Sequence, residues 1–166
     1  KKDETDTTLQ KIPFFAEKGK IKINTRLNTF LSSAKVDGSE NQILWDEYLM
    51  VIRKFNNQNI ELVKDYLEKK GEFDFKKRDE LFDKKNSLIN RKKNLFSLNF
   101  AMNNSDKEIS AYIGLYELKN ISKKYLDSLY SKLNTEIKNS FYGKKLKKKL
   151  DSFIKTLIAN KLTLIC

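Results

Sequence analysis

Between Phe73 and Phe100 the apolar residues come in adjacent pairs seven positions apart: Leu81 and Phe82, Leu88 and Ile89, Leu95 and Phe96. Lys84, Lys85, Asn86, Asn90, Arg91, Lys92, Lys93 and Asn94 fill the intervals. Seven residues make about two turns of α-helix, so each pair returns to one side of the rod while the lysines face water. A helix with so narrow a stripe cannot bury it alone and needs a second helix alongside. The preceding segment, Ser39–Lys70, supplies one. Leu44, Tyr48, Val51, Ile52 and Phe55 keep helical spacing there, and Trp45 and Leu49 widen the face. Asn56-Asn57 is a candidate interruption, after which Ile60, Val63 and Leu67 resume the pattern up to Gly71. The two segments predict a long helical hairpin, packed through Leu81, Phe82, Leu88, Ile89, Leu95 and Phe96.

Punctuation on either side supports the same reading. Asp37-Gly38 is a turn signal, and Ser39-Glu40-Asn41-Gln42 is a capping box with Ser39 as N-cap and Gln42 reaching back. Ser105-Asp106-Lys107-Glu108 is a second box, opening a helix that carries Ile109, Tyr112, Ile113 and Tyr116. Ser122 then caps Lys123–Leu133, and the short connection makes these two helices antiparallel neighbours. Phe141 and Tyr142 precede a last helix with Leu146, Leu150, Phe153, Ile154 and Leu157.

The N-terminal part reads differently. Ile21 and Ile23 alternate with Lys20, Lys22 and Asn24, the period of a strand with one face buried. Lys11–Phe15 and Lys20–Thr25 are expected as two short strands joined through Glu17-Lys18-Gly19, with Ala34-Lys35-Val36 as a further candidate. The fold class is therefore mainly α: a helical bundle with a long helical hairpin and a small N-terminal antiparallel β element. The expected divisions are 1–38 for the β element, 39–160 for the helical domain and 161–166 for a tail that alternates loosely.

Charge narrows the partners. Residues 1–83 hold 16 basic and 16 acidic groups, whereas residues 84–166 hold 18 and 6, so the whole net charge of +12 lies in the second half. Such a field draws polyanions of every kind: nucleic acid, anionic lipid or acidic protein. Its densest run is Lys144, Lys145, Lys147, Lys148 and Lys149, a candidate polyanion contact on a helix whose Leu146 and Leu150 point inward. The basic set is 30 Lys to 4 Arg, which argues against specific nucleic-acid recognition, because base and phosphate forks favour Arg. Abundant Lys, Asn and Ile is also what an AT-rich coding sequence yields.

Chemistry is excluded more firmly than binding. The chain has no histidine and one cysteine, Cys166, so a dithiol pair and the commonest general base and metal ligand are missing. No Walker sequence, GxGxxG or HExxH occurs. No catalytic, cofactor-binding or metal-binding residue is assigned, and no cofactor is expected. The longest apolar run falls short of a membrane span.

Two stretches resemble a known family. Phe14-Phe15-Ala16-Glu17-Lys18-Gly19-Lys20-Ile21-Lys22-Ile23, followed by Ala34-Lys35-Val36-Asp37-Gly38-Ser39-Glu40-Asn41, resembles the closing strands of the small β domain (DUF4369) at the front of Bacteroidetes envelope proteins. Ile109–Leu118 and Tyr125–Ser140, with Phe141-Tyr142-Gly143-Lys144, resemble the helical region that follows it. In many members that region leads into a thioredoxin-like domain of thiol-disulfide oxidoreductases (TlpA/ResA-like). The WCxxC motif of those members has no counterpart here, so their redox activity is carried onto no residue. The resemblance implies an accessory module of the cell envelope, periplasmic or outer-membrane-associated, with a signal peptide or lipid anchor upstream of a trimmed start.

Together these readings predict a non-catalytic module for scaffolding or protein–protein contact, whose partner is another protein or a second copy in a homodimer. The alternatives are a basic helical nucleic-acid-binding protein acting through residues 84–166, and a fragment of an enzyme whose catalytic domain lies elsewhere.

Overall fold

The structure, a computed structural model, describes residues 10–69, 74–118 and 121–162, with side chains described as far as Phe153. Among them a two-stranded antiparallel ribbon precedes six α-helices, the mainly α architecture expected. The chain divides into two compact units, Lys1–Asp46 and Glu47–Cys166.

In the first unit, β1 (Lys22–Asn24) pairs with β2 (Lys35–Asp37), Ile23 opposite Val36. The expected strand at Lys11–Phe15 does not form. Pro13 has no N–H for a ladder, and the polar groups beyond it are drawn to the start of α1 (Glu40–Glu68) instead. The Phe15 N–H donates to Gln42 Oε1 at 3.2 Å. The Glu17 carboxylate accepts the backbone N–H groups of Glu40 at 2.7 Å and Asn41 at 2.9 Å, and the Asn41 side-chain amide as well. Two of the orphan donors at a helix N-terminus are thus met by a carboxylate from a distant segment.

The capping box forms by half. Ser39 Oγ accepts the Gln42 N–H at 3.1 Å, but the Gln42 side chain, held by Phe15 and by Asp46 at 3.0 Å, does not reach back. Gly38 makes the preceding turn at φ +90°, where a Cβ would run into the Lys20 carbonyl oxygen.

In the second unit, the stretch of α1 from Glu47 runs antiparallel to α2 (Phe75–Asn103). As the α1 residue advances through Tyr48, Phe55 and Tyr66, its ring partner retreats from Phe100 through Phe96 to Phe82. This is the expected hairpin. Its connection, with Gly71 and Glu72, lies outside the described residues. Asn56-Asn57 does not interrupt α1; Asn56 Oδ1 accepts Lys93 Nζ at 3.0 Å across the hairpin.

The remaining helices are α3 (Glu108–Tyr116), α4 (Lys123–Lys132), α5 (Thr135–Asn139) and α6 (Phe141–Leu162). α3 lies among them, packed on α2, α4, α5 and α6. Ile109, Ile113, Leu118, Leu126, Leu129 and Leu146 are fully buried in this core, each contributing about 1.5–3 kcal/mol of transfer free energy.

The four later helix starts all differ from expectation, that of α4 (Lys123–Lys132) in that Ser122 stands at its N-cap without a side-chain capping hydrogen bond. α3 begins only at Glu108, with extended Lys107 before it and no side-chain cap, because Asn104 folds back to close α2 through the Phe100 and Ala101 carbonyls. α5 is an extra helix, started by Asn134 Oδ1 accepting the Ile137 N–H at 2.8 Å. α6 then takes Phe141 and Tyr142 into its first turn. Gly143 allows that close entry, since a Cβ there would strike the Ile137 carbonyl oxygen. Of the expected tail, Lys161 and Leu162 close α6, and residues 163–166, Cys166 included, lie outside the described residues.

Candidate interaction surface

The seven-residue repeat of α2 is split between two faces. Adjacent residues on a helix stand about 100° apart, so the two members of a pair cannot both face α1. The second members turn inward. Phe82 meets Tyr66 with ring centroids 4.8 Å apart, and Phe96 meets Tyr48 at 5.9 Å and Phe55 at 6.2 Å. Ile89, on the same line, is half-buried. The first members remain on the outside: Leu81, Leu88 and Leu95 keep 43%, 53% and 42% of their surface exposed.

Polar contacts hold the inner face in register. Ser97 Oγ donates to the Lys93 carbonyl at 2.9 Å, which leaves it as acceptor for the fully buried Tyr48 hydroxyl at 2.8 Å. Burial pushes the Tyr48 phenol above its ordinary range, as does the charge of Glu117, against the lowering effect of Ser97.

On the outer face, Lys84, Lys85 and Arg91 surround Leu81, Ser87 and Leu88, and an open groove of about 490 Å³ runs between them. Three leucines at heptad spacing with cations on the flanks make the half-seam of a coiled coil. α1 exposes its own stripe, Ile60, Val63 and Leu67, beside Glu61 and Glu68. Lower on the hairpin, Asp65 is bridged by Lys69 at 2.6 Å and Lys85 at 3.8 Å. The Lys69 hydrogen bond and both ammonium charges hold its carboxyl below the usual range.

The basic run of α6 is not a uniform electropositive face. Lys149 Nζ donates to the carbonyls of Gly114, Leu115 and Leu118 at 3.2, 2.9 and 3.4 Å, closing the C-terminal end of α3. Lys147 pairs with Asp151 at 3.0 Å and lies 5.8 Å from the Tyr130 ring centroid, and Lys145 stands 4.1 Å over Phe141. Lys144 and Lys148 are exposed and have no ion pair among the described residues. Composition marks such a run as a polyanion site; only the fold reveals that one lysine closes a helix.

Arg78 is the polar residue that sequence reasoning passed over. Its position, four before Phe82, places it on the inner line of α2, and that spacing is the signal that could have found it. Among the described residues no group of three or more His, Cys, Asp or Glu converges as a metal site, and no helix is long and apolar enough to cross a membrane. Comparison with protein-family models, with curated proteins and with solved structures gives no match to this chain.

Proposed function

We propose that the protein is a non-catalytic helical module that binds another protein through the outer seam of α2. The observation that carries this reading is the exposure of Leu81, Leu88 and Leu95 at heptad spacing between Lys84, Lys85 and Arg91. The partner that suits it is an amphipathic helix whose apolar stripe is flanked by Asp and Glu. An isologous homodimer through the same seam sets these cations against their own copies, so like charges disfavour it.

A nucleic-acid role through α6 is less supported, because Lys149 and Lys147 already have partners within the fold. The envelope location implied by the sequence resemblance belongs to the same proposal, and fractionation of the native host tests it.

The binding reading is tested by placing a photo-crosslinking residue at Ser87 and identifying what it captures in that host. A protein captured through an acidic helical segment, and lost in Lys84→Glu/Arg91→Glu, is the expected result. Capture of nucleic acid, of a second copy alone, or of the same protein by the charge-reversed variant overturns it.

A further inference from the structure

Phe141, Lys144, Lys145 and Lys148 stand at i, i+3, i+4 and i+7 of α6, the spacing of a single helix face. All four are exposed, Phe141 to 61% of its surface, while Leu146 and Leu150 are buried in the core. The one acidic residue of α6, Asp151, is spent on Lys147, and none of the three lysines has an ion pair among the described residues. Nor do these cations serve the helix that carries them. Lys144 and Lys145 lie at its N-terminal end, where the dipole disfavours positive charge.

A ring cluster borders the same end. Phe141 meets Tyr142 at 5.1 Å, and Tyr142 meets Tyr112 at 5.2 Å and Tyr116 at 6.2 Å, the three pairs crossing at 77°, 89° and 81°. Neighbours thus engage the rings edge to face, and Lys145 Nζ covers one side of Phe141 at 4.1 Å. A single nucleic-acid strand needs a row of open ring faces beneath its bases, and this arrangement does not offer one. Lysine is a hydrated point charge on a flexible stem, suited to a fluid array of phosphates more than to a fixed planar partner. Tyrosine, with an apolar body and a wet tip, belongs at headgroup level.

We propose that this face of α6 docks on an anionic lipid bilayer, with Lys144, Lys145 and Lys148 on the headgroups and Phe141 dipped among them. Because Leu146 and Leu150 stay in the core, the contact is peripheral. The face shares no residue with the α2 seam and does not depend on that seam having a protein partner.

The experiment is flotation of the full chain with phosphatidylcholine vesicles made with and without phosphatidylserine. Partition onto the anionic vesicles alone is expected. Lys144→Gln/Lys148→Gln should weaken it by about thirtyfold, the effect of two charges near the surface. Phe141→Ser, which leaves the charge intact, should weaken it by about fivefold or more. Absence of binding, equal binding to both vesicles, or an equal loss in the control pair Lys92→Gln/Lys124→Gln overturns the proposal. A single-stranded oligonucleotide bound more tightly than the anionic vesicles, at matched phosphate concentration, assigns the face to nucleic acid and overturns it too. The contrast between the two vesicles decides alone should a variant fail to fold.

Discussion

Lys149 Nζ sits 2.9 Å from the carbonyl oxygen of Leu115, tying the middle of α6 to the end of α3. The last carbonyls of a helix have no partner within it and carry the negative end of its dipole, so an ammonium there offsets both. Lys149→Met, which keeps the stem and removes the donors, should cost about 1–3 kcal/mol. Lys144→Met and Lys148→Met should stay within about 0.5 kcal/mol of wild type. Urea unfolding of the three variants checks the contrast.

The two faces of α2 should respond oppositely to truncation. Phe96→Ala removes a ring that touches Tyr48, Phe55 and Phe100 and should cost about 2–4 kcal/mol. Leu88→Ala, on the outer seam, should change stability by no more than about 0.5 kcal/mol. If the seam binds a partner, L88A should nevertheless weaken capture. Paired denaturation and crosslinking measurements on the same two proteins separate packing from recognition.

Alkaline pH should loosen the hairpin. The Tyr48 phenol is raised in the folded state, so the unfolded chain releases that proton first, at about pH 10. The stability that its neutral form contributes is complete below that value and is lost as pH climbs toward the folded one. Tyr48→Phe should flatten part of this decline, Tyr112 and Tyr142 being shifted the same way. It should also cost about 1 kcal/mol at neutral pH through the lost bond to Ser97. Unfolding followed across alkaline buffers measures both effects.

Acid acts on the other unit. Partial burial works to raise the Glu17 carboxyl, but the bonds from Asn41, Glu40 and Ser39 outweigh it and hold it below its ordinary value. Its contribution is present above the unfolded value and is lost as pH falls through the folded one. Glu17→Gln should speed hydrogen exchange at the Glu40 and Asn41 amides by about tenfold at neutral pH. The exchange rates of the two proteins should converge in acid.

By itself the sequence determined the class of fold, the hairpin and most of the helices, because helical periodicity and turn residues are local properties. Leu81/Phe82, Leu88/Ile89 and Leu95/Phe96 required a companion helix whichever way the rod was turned. Which member of each pair faces α1 needed the companion's position, and no spacing within α2 holds that information. The same limit explains Glu17 and Lys149: a carboxylate and an ammonium next to lysine-rich sequence look solvated until the chain brings a helix end to each. Arg78 is the sharpest case. Tertiary structure alone decided that Tyr66 and Phe75 supply its stacking rings, and that Nε and Nη1 are buried without a hydrogen-bond partner among the described residues.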